Sequence, residues 1–192
     1  RLGQKIVFPE NGYHGADIIE TARAIIEQDG DRYLQLDEAE RLVIFKNRAY
    51  EEKLKALKRD LENFNVTYDK WFSERSLHPE AICEACEILK ANGNIYEEDG
   101  ALWLKSSAYG DDKDRVVIRD NGVPTYLAAD IAYHKNKYER GFKKMINIWG
   151  ADHHGYVARV KAAMEALGFD ADKLEILLLQ MVSLFRNGEL VK

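Results

Sequence analysis

Cysteine is nearly missing from this sequence: Cys83 and Cys86 are the only two in 192 residues. So low a number excludes a disulfide-stapled scaffold and makes a reducing cytoplasm the expected compartment. Long apolar runs are missing as well, none approaching the ~20 residues that a membrane span requires. No basic n-region followed by an apolar h-region opens the chain, and no internal repeat or low-complexity segment interrupts it. Nor is there an excess of positive charge. The 28 Lys and Arg residues are outnumbered by 33 Asp and Glu, for a net charge of −5, which argues against bulk electrostatic binding of nucleic acid.

What is present fits a globular protein large enough to bury a core: 46% of residues are apolar and 32% charged. The ends, "RLGQKIVFPENGYHG" and "FRNGELVK", lead to the expectation of a piece cut from something longer. There is no initial Met, and the strand returning from the Asn187-Gly188 turn stops after four residues.

Helical periodicity runs from Gly15 to Gln28 and halts at Asp29-Gly30-Asp31; a longer helical stretch from about Asp37 to Asn63 carries charges of both signs on its outer face. A third helix opens at Pro79 and stops at Asn92-Gly93. It holds the C-x-x-C of Cys83 and Cys86, which supplies two ligands where structural zinc takes four. The two are therefore read as small buried hydrophobes on the face of Ile82 and Leu89.

Beyond residue 95 the pattern changes. "ALWLKS" and "RVVIR" read as short strands joined by the acidic loop "SAYGDDKD", a small β-hairpin insertion. A helix from about Tyr126 to Tyr138, a strand "MINIW", a helix from about His153 to Leu167 and a strand "EILLLQMVSLF" follow. The two strands are continuously apolar, as strands buried on both faces of a parallel sheet are. Strand, crossover helix and strand make a βαβ unit. The fold class expected is α/β, half of a Rossmann-like parallel sheet preceded by a mainly helical part. The division falls between residues 1–98 and 99–192.

In such sheets ligands gather beyond the carboxyl ends of the strands, where "WGADHHGY" lies. Gly150 lets backbone come close to a ligand, and Gly155 costs helix stability that a close contact must offset. Asp152 can cap the next helix or bind ribose hydroxyls. His153 and His154 are adjacent, about 100° apart on a helix, so they do not chelate one metal in the way that H-x-x-x-H does. No metal is assigned to them; contact with a nucleotide is preferred. Tyr126, Asp130 and His134 recur at one-turn spacing, and a phenol beside a carboxylate makes a receptor for a planar cation such as a guanidinium. Spacing alone leaves open an exposed Asp130 paired with a lysine. The basic run Lys135, Lys137, Arg140, Lys143 and Lys144 reads as a solvated face, with a ledge for a phosphate backbone as the alternative.

"GVPTYLAADIAYH", followed by "NIWGADHHGYVARVKAAMEALG" and "LQMVSLFRNGELVK", resembles the bacterial-type arginyl-tRNA synthetases, which are class I aminoacyl-tRNA synthetases. "FPENGYHGADIIETARAI" and "DGALWLKSSAYGDDKDRVVIRDNG" extend the resemblance over essentially the whole chain. It implies ATP-dependent activation of arginine and its transfer to tRNA(Arg). Arginine would be held by Tyr126 and Asp130. ATP would be bound near Gly150, Asp152, His153 and, less securely, His154, with the Met181-Val182 backbone lining the adenine pocket. It also implies magnesium with the ATP, a cytoplasmic enzyme without membrane attachment, and a monomer at full length. The family's HIGH element has no counterpart in these residues, and Lys192 resembles the first residue of its KMSKS-like loop. The chain alone is thus expected to be inactive. Two other classes remain open on residues alone: a metal-dependent hydrolase using Asp152, His153 and His154, and a helical interaction module built on residues 15–90.

Overall fold

The structure, a computed structural model, describes residues 7–8 and 10–191. Lys192, with its KMSKS-like assignment, lies outside them, as does Pro9 of the opening motif. The chain forms two compact units, Arg1–Trp71 and Phe72–Lys192. The boundary expected at 98/99 falls in the turn between two strands of the second unit.

The first unit is a pair of helices. α1 spans Ala16–Asp29 and ends at Gly30, whose φ of 58° no β-carbon opposes. α2 spans Glu38–Asn63, and Asp37 caps it by accepting from the Glu40 amide at 2.8 Å. Polar bonds tie the helices together. Thr21 donates to Glu52 at 2.9 Å, Lys53 pairs with Asp17 at 3.1 Å, and Arg48 pairs with Asp29. Between them lies an apolar cavity of about 470 Å³ lined by Ile18, Ile25, Leu34, Leu42 and Phe45. Among the described residues of this unit only Thr21 is buried; its apolar stripe is largely open.

The second unit contains the core. α3 (Glu80–Ala91), α4 (Tyr126–Glu139) and α5 (His154–Ala166) pack with two sheets around Ile82, Leu89, Leu104, Val117, Ile131, Met164 and Leu174. Each of these side chains is essentially inaccessible and contributes about 2 kcal/mol through burial. Pro79 precedes α3 at its N-cap. Of the two cysteines only Cys86 enters the core, where burial pushes its thiol up to about 11. Cys83 is exposed, contrary to the shared buried face expected, because three helical positions leave it at the edge of the Ile82–Leu89 stripe.

The small sheet has three strands, not two: β1 (Ile95–Glu98), β2 (Ala101–Leu104) and β3 (Arg115–Ile118), all antiparallel. Asp99 and Gly100, both at positive φ, form a two-residue turn between β1 and β2. β4 (Met145–Gly150) and β5 (Leu174–Leu179) pair in parallel, with Met145 opposite Leu174 and Gly150 opposite Leu179. This is the strand–helix–strand unit expected, corrected in two respects. β5 ends at Leu179, although the apolar run continues, and the strands are covered on one face only. α4 and α5 lie over Met145, Asn147 and Trp149, while Ile146 (53% exposed), Ile148 (66%) and Leu179 (57%) face outward with nothing over them among the described residues. A hairpin of β6 (Phe185–Arg186) and β7 (Glu189–Leu190) closes the described chain, turning at Asn187-Gly188 as expected.

Candidate functional site

β4 and β5 end side by side, and the chain leaves both toward the same edge. After Gly150 a short 3₁₀ turn, Ala151–His153, leads into α5; after Leu179 the chain runs through Met181 (95% exposed) and Val182 (89%) without regular structure. Gly150 has an ordinary extended backbone. Its lack of a side chain matters for another reason: a β-carbon there would collide with Asp152 Oδ1. The glycine makes room for that carboxylate to fold back over the strand end. Asp152 caps nothing, since the first turn of α5 receives no side-chain hydrogen bond. Its carboxylate stays open to solvent, with the His153 imidazole 3.7 Å away. His154 is exposed as the first residue of α5.

Gly155 is surrounded by open space. A β-carbon there would meet nothing within 4 Å, so no contact within the described chain offsets its low helix propensity. Gly155→Ala is expected to stabilise the protein by up to about 1 kcal/mol in urea titration. If a bound molecule comes close to this backbone, the same substitution weakens its binding.

α4 is fixed at its start by Thr125. Its amide donates to the Val117 carbonyl at 2.9 Å, and its hydroxyl lies 3.0 Å from the Val116 carbonyl, which pins the helix to β3. Tyr126 therefore begins α4 with its side chain free in solvent, and Asp130 follows one turn later, half-buried. His134, expected on the same face, is turned into the protein and 2% exposed. Two steps of four residues on a 3.6-residue helix rotate the position by about 80°. Its Nδ1 bonds the Asp130 carbonyl at 2.7 Å and its Nε2 lies 2.6 Å from Asn147 Nδ2. Asn147 Oδ1 in turn accepts from Lys137 Nζ at 2.9 Å. This chain of bonds is satisfied with neutral His134 carrying its proton on Nδ1. Burial pushes the imidazole pKa down, and Lys137 is pushed down for the same reason with Arg140 adding to it.

The basic run is thus dispersed. Lys135 is buried and paired with Glu84 at 3.1 Å and Glu139 at 2.6 Å; Lys137 is bound internally; Lys144 pairs with Glu175 at 2.5 Å. Arg140 and Lys143 stay exposed, so among the described residues the run is split between interior and surface.

Sequence reasoning missed Tyr156. From the first turn of α5 its hydroxyl donates to Asp130 Oδ2 at 2.7 Å, across 26 residues of sequence. Its ring lies 5.8 Å from Trp149 and 6.4 Å from His153. Burial first, and then the bond to Asp130, push the phenol pKa far up. Nothing in the sequence signals this contact, which depends on how α4 and α5 lie together.

Farther along α5, Arg159 stands 3.7 Å from the buried carboxylate of Asp111, which Arg115 grips with two nitrogens at 2.8 and 3.0 Å. Burial alone would raise the Asp111 carboxyl, but the bonds from Arg115, the Asp112 amide and Ser106 hold it well below the usual carboxylate range. The acidic loop is therefore an internal staple between β2–β3 and α5.

Parallel strands joined by a helix over one face, with a carboxylate and imidazoles in the turn at their carboxyl ends, make up a strand–helix–strand unit of an α/β fold. Beside that turn, α4 presents a phenol and a carboxylate. The chain belongs to the class I tRNA synthetases (R), catalytic-domain family, whose sequence model matches residues 17–186. It is 55% identical over all 192 residues to an arginine–tRNA ligase from Heliobacterium modesticaldum and 56% identical to one from Carboxydothermus hydrogenoformans. In each case it spans 34% of the relative's length, about a third. A protein assigned as an arginyl-tRNA synthetase from Campylobacter jejuni has the same fold. Its crystal structure superposes with a TM-score of 0.90 at 46% identity, over the whole of this chain and 42% of that one. The arginyl-tRNA synthetase of Thermus thermophilus, 20% identical with a TM-score of 0.60 over 88% of this chain and 37% of its own, shares the fold.

The metal-hydrolase reading finds no support in this geometry. Among the described residues no three His, Cys, Asp or Glu side chains gather as a metal would require. No helix among them is long and apolar enough to cross a membrane.

Proposed function

We propose that this chain is the arginine- and nucleotide-binding part of the catalytic domain of a longer, cytoplasmic and monomeric arginine–tRNA ligase. The observation that carries the reading is the bond between Tyr156 and Asp130. It sets the cation receptor of α4 against the first turn of α5, one side chain away from the Gly150–His154 turn.

In this reading Asp130 binds the guanidinium of arginine, and Tyr126 adds a hydrogen bond or a flat wall beside it. Asp152, uncapped and open, takes the ribose hydroxyls of ATP. His153 and His154 donate to phosphate oxygens at the N-terminus of α5. Gly150 keeps the strand end narrow, and the backbone of Met181 and Val182, two steps past the end of β5, lines the adenine. The arginine carboxylate attacks the α-phosphorus to give arginyl-adenylate and pyrophosphate. A terminal ribose hydroxyl of tRNA(Arg) then attacks the carbonyl carbon of the mixed anhydride, forming the arginyl ester and releasing AMP. Neither step needs covalent help from the protein, so positioning and charge stabilisation carry the rate.

Magnesium accompanies the ATP and neutralises phosphate charge. The strand ends offer it a single open carboxylate, Asp152, which fits an ion held mainly by the nucleotide's own oxygens. The chain by itself is expected to bind more readily than it catalyses.

The test is calorimetric titration of arginine, lysine and citrulline into the protein at the full length of its relatives. Binding of arginine alone supports the reading. Equal binding of citrulline, which has the shape without the charge, contradicts a carboxylate receptor.

A further inference from the structure

We propose that Tyr156 is a positioning residue for arginine recognition. Its hydroxyl fixes the Asp130 carboxylate in the orientation that receives the guanidinium, and its ring links that carboxylate to the nucleotide turn. The inference rests on Asp130 being the arginine receptor. It adds a residue on a different helix, without which that receptor would be loose.

A half-buried carboxylate on one helix has two χ angles to settle before it can meet a planar cation squarely. At Asp130 both ends of the residue are held. The backbone carbonyl takes the His134 imidazole at 2.7 Å, anchored in turn through Asn147 to Lys137. The carboxylate takes the Tyr156 hydroxyl on Oδ2 at 2.7 Å, which directs the remaining lone pairs and Oδ1 to an incoming donor. The phenol is itself held. Trp149 lies against its ring at 5.8 Å, the Arg159 guanidinium carbon is 4.9 Å from the ring centroid, and His153 is 6.4 Å away on the preceding turn. Arg159 in turn lies 3.7 Å from the Asp111 carboxylate, a charge approach without a hydrogen bond. His153 thus touches the ring that orients Asp130, and the amino-acid and nucleotide halves of the site meet at Tyr156. A hydrogen bond to a charged group is worth about tenfold in affinity when the orientation it imposes is the one the ligand needs.

The test uses the full-length protein and ATP–pyrophosphate exchange measured with tRNA present, with Tyr156→Phe, Asp130→Asn and the double variant. Tyr156→Phe keeps the ring and its packing and removes only the hydroxyl. It is expected to raise KM for arginine about tenfold, with KM for ATP and kcat moving less than about twofold. In the Asp130→Asn background the same change is expected to lower kcat/KM for arginine by less than about twofold, because the group that Tyr156 orients is gone. An unchanged KM for arginine in Tyr156→Phe overturns the inference. So does a parallel rise of both KM values, or a tenfold loss that persists beside Asp130→Asn. Those outcomes leave the arginine reading standing if Asp130→Asn alone still weakens arginine. Should Asp130→Asn leave arginine kinetics intact, the receptor assignment falls, and the role of Tyr156 falls with it.

Discussion

Asp130→Ala is expected to abolish measurable arginine binding by the full-length protein, a loss of at least about a hundredfold in Kd. ATP binding should change little. The magnitude follows from what remains after the substitution. A guanidinium leaving water for this site would face the Tyr156 phenol and the Tyr126 ring with no anion to balance it. Truncating one member of a hydrogen-bonded charge pair costs about 2–5 kcal/mol for that reason. Asp130 is also close enough to the protein's own groups that its loss frees the Tyr156 hydroxyl. A fall in thermal stability of the apoprotein is therefore expected but small, since the phenol can turn to water at the edge of the site. Calorimetry with arginine and, separately, with ATP checks both parts. Equal weakening of the two ligands would indicate a folding defect rather than a lost receptor.

A second substitution, Asp111→Ala, should act on stability. The carboxylate is 2% exposed and is gripped by Arg115, with Arg159 close behind. Its removal takes away the buried anion that Arg115 and Arg159 share, leaving Arg115 only the exposed Asp112, and about 3 kcal/mol of destabilisation is expected in denaturant titration. Asp111 also joins the turn after β2 to α5, the helix that carries Tyr156. Arginine affinity should thus fall in partly denaturing conditions before global unfolding. The pH dependence follows from the direction of the shift. The folded carboxyl lies below its ordinary value of 3.8, so its contribution is complete above that value and is lost as the pH falls further into the acid range. In Asp111→Asn that part of the acid loss should disappear. If acid stability is the same in the variant, the carboxylate is not held as described.

The helices and the parallel strand pair were legible in the sequence because their signals are local. Asp37 before an apolar-periodic run and Gly30 after one mark helix ends at the level of single residues. β4 and β5 declared themselves by uninterrupted apolar runs, but such a run has no internal stop. The end of β5 at Leu179, where Gly150 ceases to pair, was hidden in it. Apolarity on both faces likewise reports what a strand can be covered by, and in the described residues only one face of this pair is covered. β1 was missed because "IYEE" carries two glutamates on a strand with an exposed side, and the Asp99-Gly100 turn was the stronger clue. At the site, the candidate residues Tyr126, Asp130, Gly150 and Asp152 were found from spacing and from resemblance. Tyr156, Asn147 and Lys137 were not, since each acts through a contact between α4 and a segment far along the chain. At Gly150 the structure adds a neighbour that the sequence did not signal, the Asp152 carboxylate folded back over the strand end.

Amino-acid selectivity in tRNA charging is the decisive measurement on the Asp130 receptor. The full-length protein would be incubated with ATP, magnesium and unfractionated tRNA, and each of the twenty amino acids offered in turn. The Asp130 receptor predicts that arginine alone is attached, with lysine at background because its single ammonium cannot fill a site shaped for a planar fork. Attachment of lysine, or of a neutral amino acid, at a rate comparable to arginine would contradict the account.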